Sequence, residues 1–476
     1  MRSSIPLEKD DKPLYRQVYL RFREAILSGA FAPGKKLPST RDLAAQMGIS
    51  RTVTVLVYEQ LASEGFVAGK AGSGTYVSAD LNRFKQPRSE ESRNLRLSRY
   101  GSSAVGARAR LDVPLKRQAL RYDFAYGRSD LEDFPFEMWR RTFLRCARMA
   151  PVSELDYGPA CGSAALREAI CTHLRHSRAV VCDPEQIIVV NGSQQALDLI
   201  TRVLLEHGDK VVIEEPSYQG TREILLAAGA KVLGVPVDHD GLNIARLPQS
   251  ARLVFVTPSH QFPTGVVLPL SRRLALLEWA KRKDAVVVED DYDGEFRYEG
   301  QPVDSLQGLD NAGRVIYVGT FSRTIFSSLR IGYLISPRRL LPALTAAKWL
   351  SDRQTATLEQ NALAEFISEG TYGRYLRRVR RKNASRRQAL LNAVRIYLGN
   401  RVEITGESGG AHLVLWLKAR TVEDNVIEAA ASRGVGVYGI RPYFTGTPPR
   451  GGLLLGYSRM REKDVAEGIR RLGSAF

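Results

Sequence analysis

The sequence predicts an α/β domain with a mostly parallel sheet, preceded by a small winged helix-turn-helix domain. Two patterns support this fold class. From residue 121 onward, short apolar runs alternate with longer segments of helical periodicity, which is typical of α/β domains. Before residue 80, three helical segments are followed by two short strands with a glycine-rich tip. A chain of 476 residues is also long enough for two or three domains.

The first domain is predicted over residues 12–79. Apolar residues recur at helical spacing in three segments that together cover residues 13–64. The second helix begins at Ser39, where Asp42 completes a capping-box pattern, and the third begins at Ser50. Two helices joined by a turn and followed by a hairpin form the order of a DNA-binding winged helix.

Four motifs of this domain resemble the GntR-type DNA-binding family: Leu37-Pro-Ser-Thr-Arg41, Gly48-Ile-Ser50-Arg51, Tyr58-Glu-Gln-Leu61 and Gly72-Ser-Gly74-Thr-Tyr-Val77. The resemblance implies that DNA is contacted by Arg41, Ser50, Arg51, Thr52 and Gly72. Arginine suits phosphates and guanine edges, and hydroxyl side chains suit phosphates. The alternative is that these side chains serve only as caps and ion pairs within the domain. Val53-Thr54 stands where the family usually has Thr-Val.

A basic flexible linker is predicted over residues 80–120. The chain has a formal net charge of +18, and residues 81–121 contain 11 Lys and Arg against 3 Asp and Glu. A segment with such an excess of one charge is typical of a solvated, disordered tether. The alternative is a tether that also lies along DNA phosphates and adds affinity that does not depend on base sequence.

The large domain is predicted over residues 121–476. Five apolar runs in it are predicted strands: residues 186–190, 210–213, 253–256, 285–288 and 314–318. Each run precedes a polar or glycine-rich turn. In an open parallel sheet, ligands bind at the turns that follow the carboxyl ends of the strands. The sequence therefore predicts a ligand site at these turns.

These turns resemble those of fold-type I aminotransferases, which use pyridoxal 5'-phosphate (PLP). The matching segments are Asn191-Gly192-Ser193-Gln194, Glu214-Glu215-Pro216-Ser217-Tyr218, Thr257-Pro-Ser-His-Gln-Phe-Pro-Thr-Gly265, Glu289-Asp290-Asp291-Tyr292 and Thr320-Phe-Ser-Arg323. The resemblance implies that PLP is held by Ser193, Gln194, Tyr218, Asp290, Tyr292, Thr320, Arg323 and Arg330. In the family, the phosphate is bound by backbone N–H groups at a helix N-terminus and by the equivalent of Arg330. The equivalent of Asp290 pairs with the pyridine nitrogen, Tyr292 bonds the ring hydroxyl, and Tyr218 stacks on the ring.

Position 323 departs from the family in the residue that carries the chemistry. The family has a lysine there, and its neutral amine forms a Schiff base with the PLP aldehyde. Arg323 stays protonated and has no free amine to attack an aldehyde. No lysine occurs between Asp284 and Ala347 to take its place. We therefore predict no covalent link to PLP, no catalytic residue and a catalytically inactive domain.

Three outcomes remain open for this pocket. In the first, PLP binds noncovalently and its aldehyde is free to react with an amine effector. In the second, a different anionic ligand lies between Arg323 and Arg330. In the third, the pocket has lost its ligand, or Arg323 is an engineered change that traps one state. The effector cannot be read from the sequence, because Leu454 stands where aminotransferases usually place the arginine that holds the substrate carboxylate.

A GntR-type winged helix followed by an aminotransferase-like domain is similar to the MocR-type transcriptional regulators. The resemblance implies a DNA-binding regulator that senses PLP or an amine or amino-acid metabolite. Its implied partners are double-stranded operator DNA, a small-molecule effector and a second copy of the chain in a head-to-tail homodimer. The rival interpretation is a PLP-dependent aminotransferase with an accessory DNA-binding domain.

The sequence contains no pattern typical of membrane insertion or export. No apolar run reaches the roughly 18 residues of a membrane span, and the N-terminus lacks the apolar stretch of a signal peptide. The four cysteines have neither metal-binding nor disulfide spacing: Cys146, Cys161, Cys171 and Cys182. These features predict a cytoplasmic protein without a metal site.

Overall fold

The computed structural model describes residues 13–70, 72–80, 96–110, 120–127, 130–298, 303–418 and 421–476. They fall into two compact units that are divided between Arg96 and Leu97. Each unit has its own buried apolar core. No helix in these ranges is both long enough and apolar enough to cross a membrane.

The first unit has the predicted winged helix-turn-helix order. Its elements are α1 (Leu14–Leu27), α2 (Thr40–Met47), α3 (Arg51–Ser63), β1 (Val67–Lys70) and β2 (Gly74–Val77). The two strands pair antiparallel as a hairpin. The core contains fully or almost fully buried side chains from every helix and from both strands: Val18, Phe22, Leu43, Val57, Leu61, Val67 and Val77. Burial of this apolar face stabilises the three short helices, which would be marginal in isolation.

Both predicted helix starts of this unit are confirmed. The Ser39 hydroxyl accepts a hydrogen bond from the backbone N–H of Asp42 at 3.2 Å and donates to the Asp42 carboxylate at 2.6 Å. The Ser50 hydroxyl accepts from the N–H of Val53 at 3.3 Å. Gly48 ends α2 in the left-handed region, with φ of 66°. A serine N-cap such as Ser39 or Ser50 contributes about 1 kcal/mol to stability, because it satisfies a backbone donor that the helix leaves unpaired.

The second unit is built on an eight-stranded sheet in the order β4-β11-β10-β9-β8-β5-β6-β7. The strands of this unit are β3 (Tyr122–Asp123), β4 (Ile187–Val190), β5 (Lys210–Glu215), β6 (Lys231–Asp238), β7 (Gly241–Leu242), β8 (Leu253–Val256), β9 (Val286–Asp291), β10 (Val315–Thr320), β11 (Gly332–Ile335), β12 (Val402–Thr405), β13 (His412–Leu417), β14 (Val435–Gly436), β15 (Tyr438–Gly439) and β16 (Gly452–Gly456). The pairs among β5, β6, β8, β9 and β10 are parallel. All five predicted strands are confirmed, but β5, β9 and β10 extend further toward the C-terminus than predicted. Asp290 and Thr320 therefore lie within strands and not in the turns that follow them.

Helices cover both faces of this sheet. The helices of the unit are α4 (Arg99–Arg110), α5 (Phe136–Met149), α6 (Ala164–Arg178), α7 (Ser193–Leu204), α8 (Gln219–Ala227), α9 (Leu270–Arg282), α10 (Leu341–Asp352), α11 (Thr357–Ser368), α12 (Thr371–Tyr397), α13 (Glu423–Ala431) and α14 (Glu462–Gly473). Successive residues of β5 face opposite sides, since Val211 packs in the core with α7 and Val212 packs in the core with α9. The strands are apolar on both faces for this reason.

A smaller antiparallel sheet follows toward the C-terminus, in the order β12-β13-β16-β15. Side chains from β13 and β16 form a second core with the C-terminal half of α12 and with α14. The sequence prediction did not include this sheet. It encloses the open edge of the cleft described below, because Gly456 at the end of β16 lies directly against the backbone of Tyr126.

The prediction of a flexible linker is wrong for residues 99–110. They form α4, which packs against α8, and the Arg110 Nη2 lies 2.7 Å from the Glu223 Oε2. Glu223 is buried, so the ion pair holds α4 on the surface of the second unit. The remaining parts of the predicted linker, residues 81–95 and 111–119, lie outside the described residues.

Candidate functional site

A buried hydroxyl joins the first turns of α2 and α3. The Oγ1 of Thr54 lies 2.9 Å from the carbonyl oxygen of Thr40 and 2.8 Å from that of Arg51. Thr54 is fully buried. This contact fixes the two helix starts side by side, so Arg41 and Arg51 lie at the same end of the unit. It also gives a structural reason for the Val53-Thr54 order, because only the residue at position 54 faces Thr40.

Arg41, Arg51 and Thr52 are all exposed at this end. Neither arginine forms an ion pair with a carboxylate in the described part of the chain. A cation in the first turn of a helix faces the positive end of the helix dipole, which is unfavourable by roughly 0.3–1 kcal/mol. A phosphate at the same place is favourable. Helix stability therefore does not account for these arginines. The Ser50 hydroxyl already serves as a cap.

The tip of the hairpin holds the predicted Gly72, which is exposed and has φ of 71°. Lys36 lies against this hairpin: it bridges to Tyr76, and a Cβ added at Gly74 would lie 2.9 Å from the Lys36 Cε. The ammonium of Lys70 is 5.2 Å from the centroid of the Tyr76 ring. Lys36 and Lys70 thus both lie near the ring of Tyr76, next to the glycine tip of the hairpin.

In the second unit, the sheet register brings the predicted site residues to one edge. Val190 of β4 pairs with Gly332 of β11, and Gly332 pairs with Thr320 of β10. On the other side of β10, Val318 is level with Asp290 of β9. The carboxyl ends of parallel strands meet at the same edge of a sheet. The turns after β4, β9 and β10 therefore surround a single cleft.

Arg330 lies across the turn between β4 and α7. Its Nη2 donates to the carbonyl oxygen of Asn191 at 3.0 Å. Gly192 has φ of 82°, and a Cβ at this position would lie 2.6 Å from the Arg330 Nη2, so only glycine fits beneath the guanidinium. Ser193 and Gln194 begin α7 immediately after this turn. The predicted phosphate-binding residues are therefore neighbours at a helix N-terminus, where backbone N–H groups attract anions.

Hydrogen bonds and an ion pair around Asp352, which the sequence did not predict, support the turn between β4 and α7. The Asp352 carboxylate accepts from the side-chain amides of Asn191 at 2.6 Å and Gln195 at 2.8 Å. Its other oxygen lies 2.5 Å from the Nζ of Lys348, whose side chain is 0% exposed. Burial lowers the pKa of Lys348, and the hydrogen bond and charge of Asp352 oppose this shift. The turn is thus held by a partly buried carboxylate, which is itself paired with a buried ammonium.

Asp290 presents a buried carboxylate oxygen to the cleft. Its Oδ1 has no hydrogen-bond partner among the described residues. Burial, followed by the nearby charge of Asp291, raises the pKa of Asp290 to about 7, and the charge of Arg323 opposes the shift. Asp291 is itself paired, since its Oδ2 accepts from the Nε of Arg178 at 2.7 Å. An unsatisfied buried carboxylate is unfavourable until a cationic N–H donor binds it.

Phe262 is the centre of an aromatic cluster that lines the cleft. Its ring centroid lies 5.4 Å from that of Tyr126, 6.0 Å from Tyr218, 5.7 Å from Tyr292 and 5.0 Å from Tyr443. The ring of Phe262 is 5% exposed, whereas Tyr218 is 39% exposed. Phe262 therefore fills space with an apolar ring, and Tyr218 remains accessible to a ligand.

The Tyr292 hydroxyl is engaged within the chain. It donates to the carbonyl oxygen of His260 at 2.8 Å and lies 3.1 Å from the Nδ1 of the same residue. Burial lowers the pKa of His260 to about 4, so the imidazole is neutral at pH 7. The predicted bond from Tyr292 to a ligand oxygen must replace or share the contact with His260.

Arg323 follows β10 and is half-buried. Its guanidinium carbon lies 4.5 Å from the centroid of the Tyr126 ring, a cation–π distance. A Cβ added at Gly127 would lie 2.8 Å from the Arg323 Nη1. Burial lowers the pKa of Arg323, but Tyr126 and Asp293 outweigh it, and the pKa lies above the ordinary value. The guanidinium is therefore held as a permanent cation in the wall of the cleft.

One group of three potential metal ligands occurs in the described ranges: His260, Asp293 and His412. The ligand atoms lie within 4.8 Å of one another, and all three residues are buried. A zinc ion with bonds of about 2.1 Å requires ligand atoms about 3.4 Å apart. His412 is also hydrogen-bonded through Nε2 to the carbonyl oxygen of Pro263 at 2.9 Å. Burial lowers the pKa of both imidazoles, and the hydrogen bond to Pro263 gives His412 a structural role in the described part of the chain.

Comparison with known proteins matches both units to families. Residues 14–77 match the family model "Bacterial regulatory proteins, gntR family", and residues 124–472 match "Aminotransferase class I and II". The chain is 39% identical over 476 residues to the probable rhizopine catabolism regulatory protein MocR of Rhizobium meliloti, covering 99% of this chain and 95% of that protein. It is 34% identical over 462 residues to the HTH-type transcriptional regulator TauR of Rhodobacter capsulatus, covering 95% and 94%.

Among solved structures, the fold is similar to aminotransferases. Pyrococcus horikoshii kynurenine aminotransferase superposes with a TM-score of 0.71 at 27% identity, covering 83% of this chain and 97% of that one. The α-aminoadipate aminotransferase LysN of Thermus thermophilus gives 0.71 at 30% identity, covering 78% and 96%. These matches confirm the predicted fold class and the predicted DNA-binding regulatory function. The chain belongs to the MocR-type transcriptional regulators, in which a GntR-type DNA-binding domain precedes an aminotransferase-like domain.

Proposed function

We propose that this regulator senses PLP held noncovalently in the cleft of its aminotransferase-like domain, and that the domain does not catalyse transamination. The observation that carries the proposal is the pair of charges in the cleft. The Asp290 Oδ1 is a buried acceptor without a partner among the described residues, which suits a protonated pyridine nitrogen. Arg323 is a cation at the position where transamination needs a neutral amine.

The remaining residues of the cleft fit the rest of the PLP molecule. Ser193 and Gln194 offer N–H groups at the start of α7, and Arg330 adds a guanidinium beside them, which together suit a phosphate. Thr320 lies at the end of β10, level with Gly332. The exposed ring of Tyr218 lines a small cavity together with Asp290, so a flat ring held by Asp290 would lie next to Tyr218.

Each charged group has a separate task in this proposal. Bound PLP supplies an aldehyde that reacts with amines. Asp290 accepts the hydrogen bond of the protonated ring nitrogen, because a cation beside this carboxylate lowers its pKa from about 7. Arg323 holds an anionic group, either on PLP or on an effector. The cluster around Phe262 excludes water from one side of the cleft. No side chain among these residues offers a free amine.

Substitution of Asp290 by asparagine tests the proposed ligand. We expect the Kd for PLP to increase roughly 10- to 150-fold, because a hydrogen bond to a charged group contributes about 1.5–3 kcal/mol. The measurement is a titration of the full chain with PLP, followed by intrinsic fluorescence. The matched control is Asp424→Asn, which removes an exposed carboxylate on α13 and leaves the Kd unchanged.

The stability of the ligand-free D290N protein separates loss of binding from loss of folding. The pKa of Asp290 is about 7 when folded and ordinarily 3.8, so the folded protein binds the extra proton and loses stability as the pH rises between these values. Asparagine removes this loss, and the ligand-free variant should unfold at a higher urea concentration than the natural protein at pH 8. Unchanged PLP affinity in a folded D290N protein would contradict the proposal. Binding of inorganic phosphate but not PLP would indicate the other anionic ligand.

We also propose that Arg41, Arg51 and Thr52 contact DNA phosphates or bases, with Ser50 and Gly72 beside them. The exposed arginines at two helix starts support this proposal, as argued above. We expect Arg51→Ala to weaken binding to DNA from upstream of the regulator's own gene by about 1–3 kcal/mol. Fluorescence anisotropy with a labelled duplex measures the change. The control is Arg16→Ala, which removes the same charge from an exposed position on α1. Equal loss of DNA affinity in the two variants would refute a specific role for Arg51.

A homodimer is supported by exposed apolar side chains on the second unit. Tyr157 is 73% exposed, Trp349 is 50% exposed and Leu350 is 71% exposed. Tyr157 and Trp349 lie in different segments but adjoin, since Arg353 is 4.4 Å from the ring of the first and 5.1 Å from the ring of the second. Large apolar side chains exposed near one another can mark a protein–protein interface. We propose that a second copy of the chain covers it; the head-to-tail arrangement stays a prediction.

A further inference from the structure

The helix α12 has an unusual charge. Its 27 residues contain no Asp or Glu, and its nine basic residues are Arg374, Arg377, Arg378, Arg380, Arg381, Lys382, Arg386, Arg387 and Arg395. Residues 122–476 as a whole have a net charge of only +7, so α12 carries more positive charge than the entire domain around it. The excess positive charge of residues 122–476 therefore lies on this one helix.

The cations on the inner side of α12 are neutralised by the domain. The Nη2 of Arg380 lies 3.1 Å from a carboxylate oxygen of Glu295, and the Nη2 of Arg386 lies 2.7 Å from Asp130. Lys382 pairs with Asp133. These pairs hold the helix on the domain, and they account for the arginines and the lysine on that side by structure alone.

Four arginines on the outer side lack such partners among the described residues. Arg374, Arg377, Arg378 and Arg381 are exposed and are spaced as i, i+3, i+4 and i+7. This spacing places them within an arc of about 100° and over about 10 Å of the helix axis. Arg374 donates to the Glu369 carbonyl and the Thr371 hydroxyl, but none of the four pairs with a carboxylate in the described ranges.

Folding does not explain this row of charges, hereafter the α12 stripe (Arg374, Arg377, Arg378 and Arg381). Like charges three and four residues apart on a helix destabilise it by about 0.2–0.5 kcal/mol for each pair. The lack of any intervening acid also excludes a surface network of ion pairs within the helix. A row of guanidiniums without carboxylate partners is instead the pattern that binds a polyanion, since each can hold a phosphate through two hydrogen bonds.

We propose that the α12 stripe is a second DNA-binding surface, which holds backbone phosphates without reading the base sequence. The proposal rests on the DNA-binding function of the winged helix, which already brings a duplex to this protein. Each DNA strand carries one phosphate for about every 3.4 Å of duplex axis, and its helical path separates successive phosphates further, so a row about 10 Å long can contact about two or three of them. The stripe thereby gives the second unit an affinity for DNA that does not depend on base sequence.

The test compares two random-sequence duplexes, one just long enough for a single winged-helix domain and one three times longer. In the full chain, Arg377, Arg378 and Arg381 are all replaced by glutamine. We expect affinity for the longer duplex to fall at least about tenfold, and the slope of log affinity against log salt to decrease by about 2–3, since each lost phosphate contact removes about 0.9. Affinity for the short duplex stays unchanged.

Two further variants make the result specific. The triple lysine variant R377K/R378K/R381K keeps the charge and should keep most of the affinity. The control variant R246Q/K281Q/R282Q removes three exposed charges on and before α9 and should not alter binding. Arg51→Ala weakens binding to both duplexes, so failure of the winged helix is distinguishable from failure of the stripe. Equal loss in the α9 control, no loss on the longer duplex, or a changed oligomeric state of the stripe variant in light scattering would each overturn the proposal.

Discussion

Lysine at position 323 is expected to capture PLP covalently, whereas the protein with Arg323 is not. The position follows β10 beside the ring of Tyr126 and faces the cleft that contains Asp290. A lysine in this half-buried position loses part of its preference for the charged form, and its neutral amine attacks the aldehyde. The effect is all-or-none: the attachment rises from none in the natural chain to about one PLP for each chain in Arg323→Lys.

Intact mass spectrometry after borohydride reduction measures this attachment. Peptide mapping must place the adduct on position 323, because Lys348 lies near the same turn and is the obvious competing amine. Arg323→Gln is the matched control, since it removes the charge without supplying an amine, and it should stay unmodified. A reducible adduct on the natural chain would contradict the expectation, and so would an R323K protein that binds PLP but remains unmodified.

Removal of the Asp352 carboxylate has the largest expected effect on stability. In Asp352→Ala, the ammonium of Lys348 stays fully buried without its partner, and loss of one member of a buried ion pair costs about 3–5 kcal/mol of unfolding free energy. The turn at Asn191 also loses its support, so PLP affinity should fall in the same variant. Urea unfolding followed by circular dichroism gives the free energy.

The control and the pH dependence identify the cause. Asp198→Ala removes a carboxylate from an exposed i, i+4 pair with Arg202 and should cost less than about 1 kcal/mol. The pKa of Lys348 is lowered in the folded state by burial, so the unfolded chain binds more protons and stability rises with pH toward the ordinary value of 10.5. Without Asp352, the pKa of Lys348 falls further, and D352A gains more stability than the natural protein as the pH rises. The difference in unfolding free energy between the two proteins should therefore shrink between pH 7 and pH 10. If the loss of unfolding free energy matches that of the Asp198 control, or does not change with pH, the ion pair between Lys348 and Asp352 does not stabilise the fold.

The parts of the fold that depend on neighbouring residues could be predicted from the sequence. Ser39 and Ser50 were predicted as helix starts because a serine cap acts within one turn. The central strands were predicted because continuous apolar runs are required when both faces of a sheet are covered. The sequence does not predict α4, because its two glycines and two serines have low helix propensity. Its stability comes from the packing against α8 and from the distant residue Glu223.

The candidate site was predictable only where a short motif carries the function. The segments around Ser193, Asp290 and Arg323 each follow a strand and resemble known motifs, so they could be assigned to one cleft. The Asp352 network could not, because Asp352 and Asn191 are 161 positions apart and no local pattern marks the contact. Thr54 was noticed only as a departure from the family, and its buried hydrogen bond to Thr40 depends on how two helices pack. The roles of all these residues in binding remain predictions.

The ion pair between Arg110 and Glu223 has a mechanical consequence. Tyr218 directly precedes α8, and Glu223 lies little more than one helical turn later on the same rigid element. The exposed ring of Tyr218 and the carboxylate that holds α4 are therefore five residues apart on one rigid element, so a shift of α8 on ligand binding would also move the end of α4.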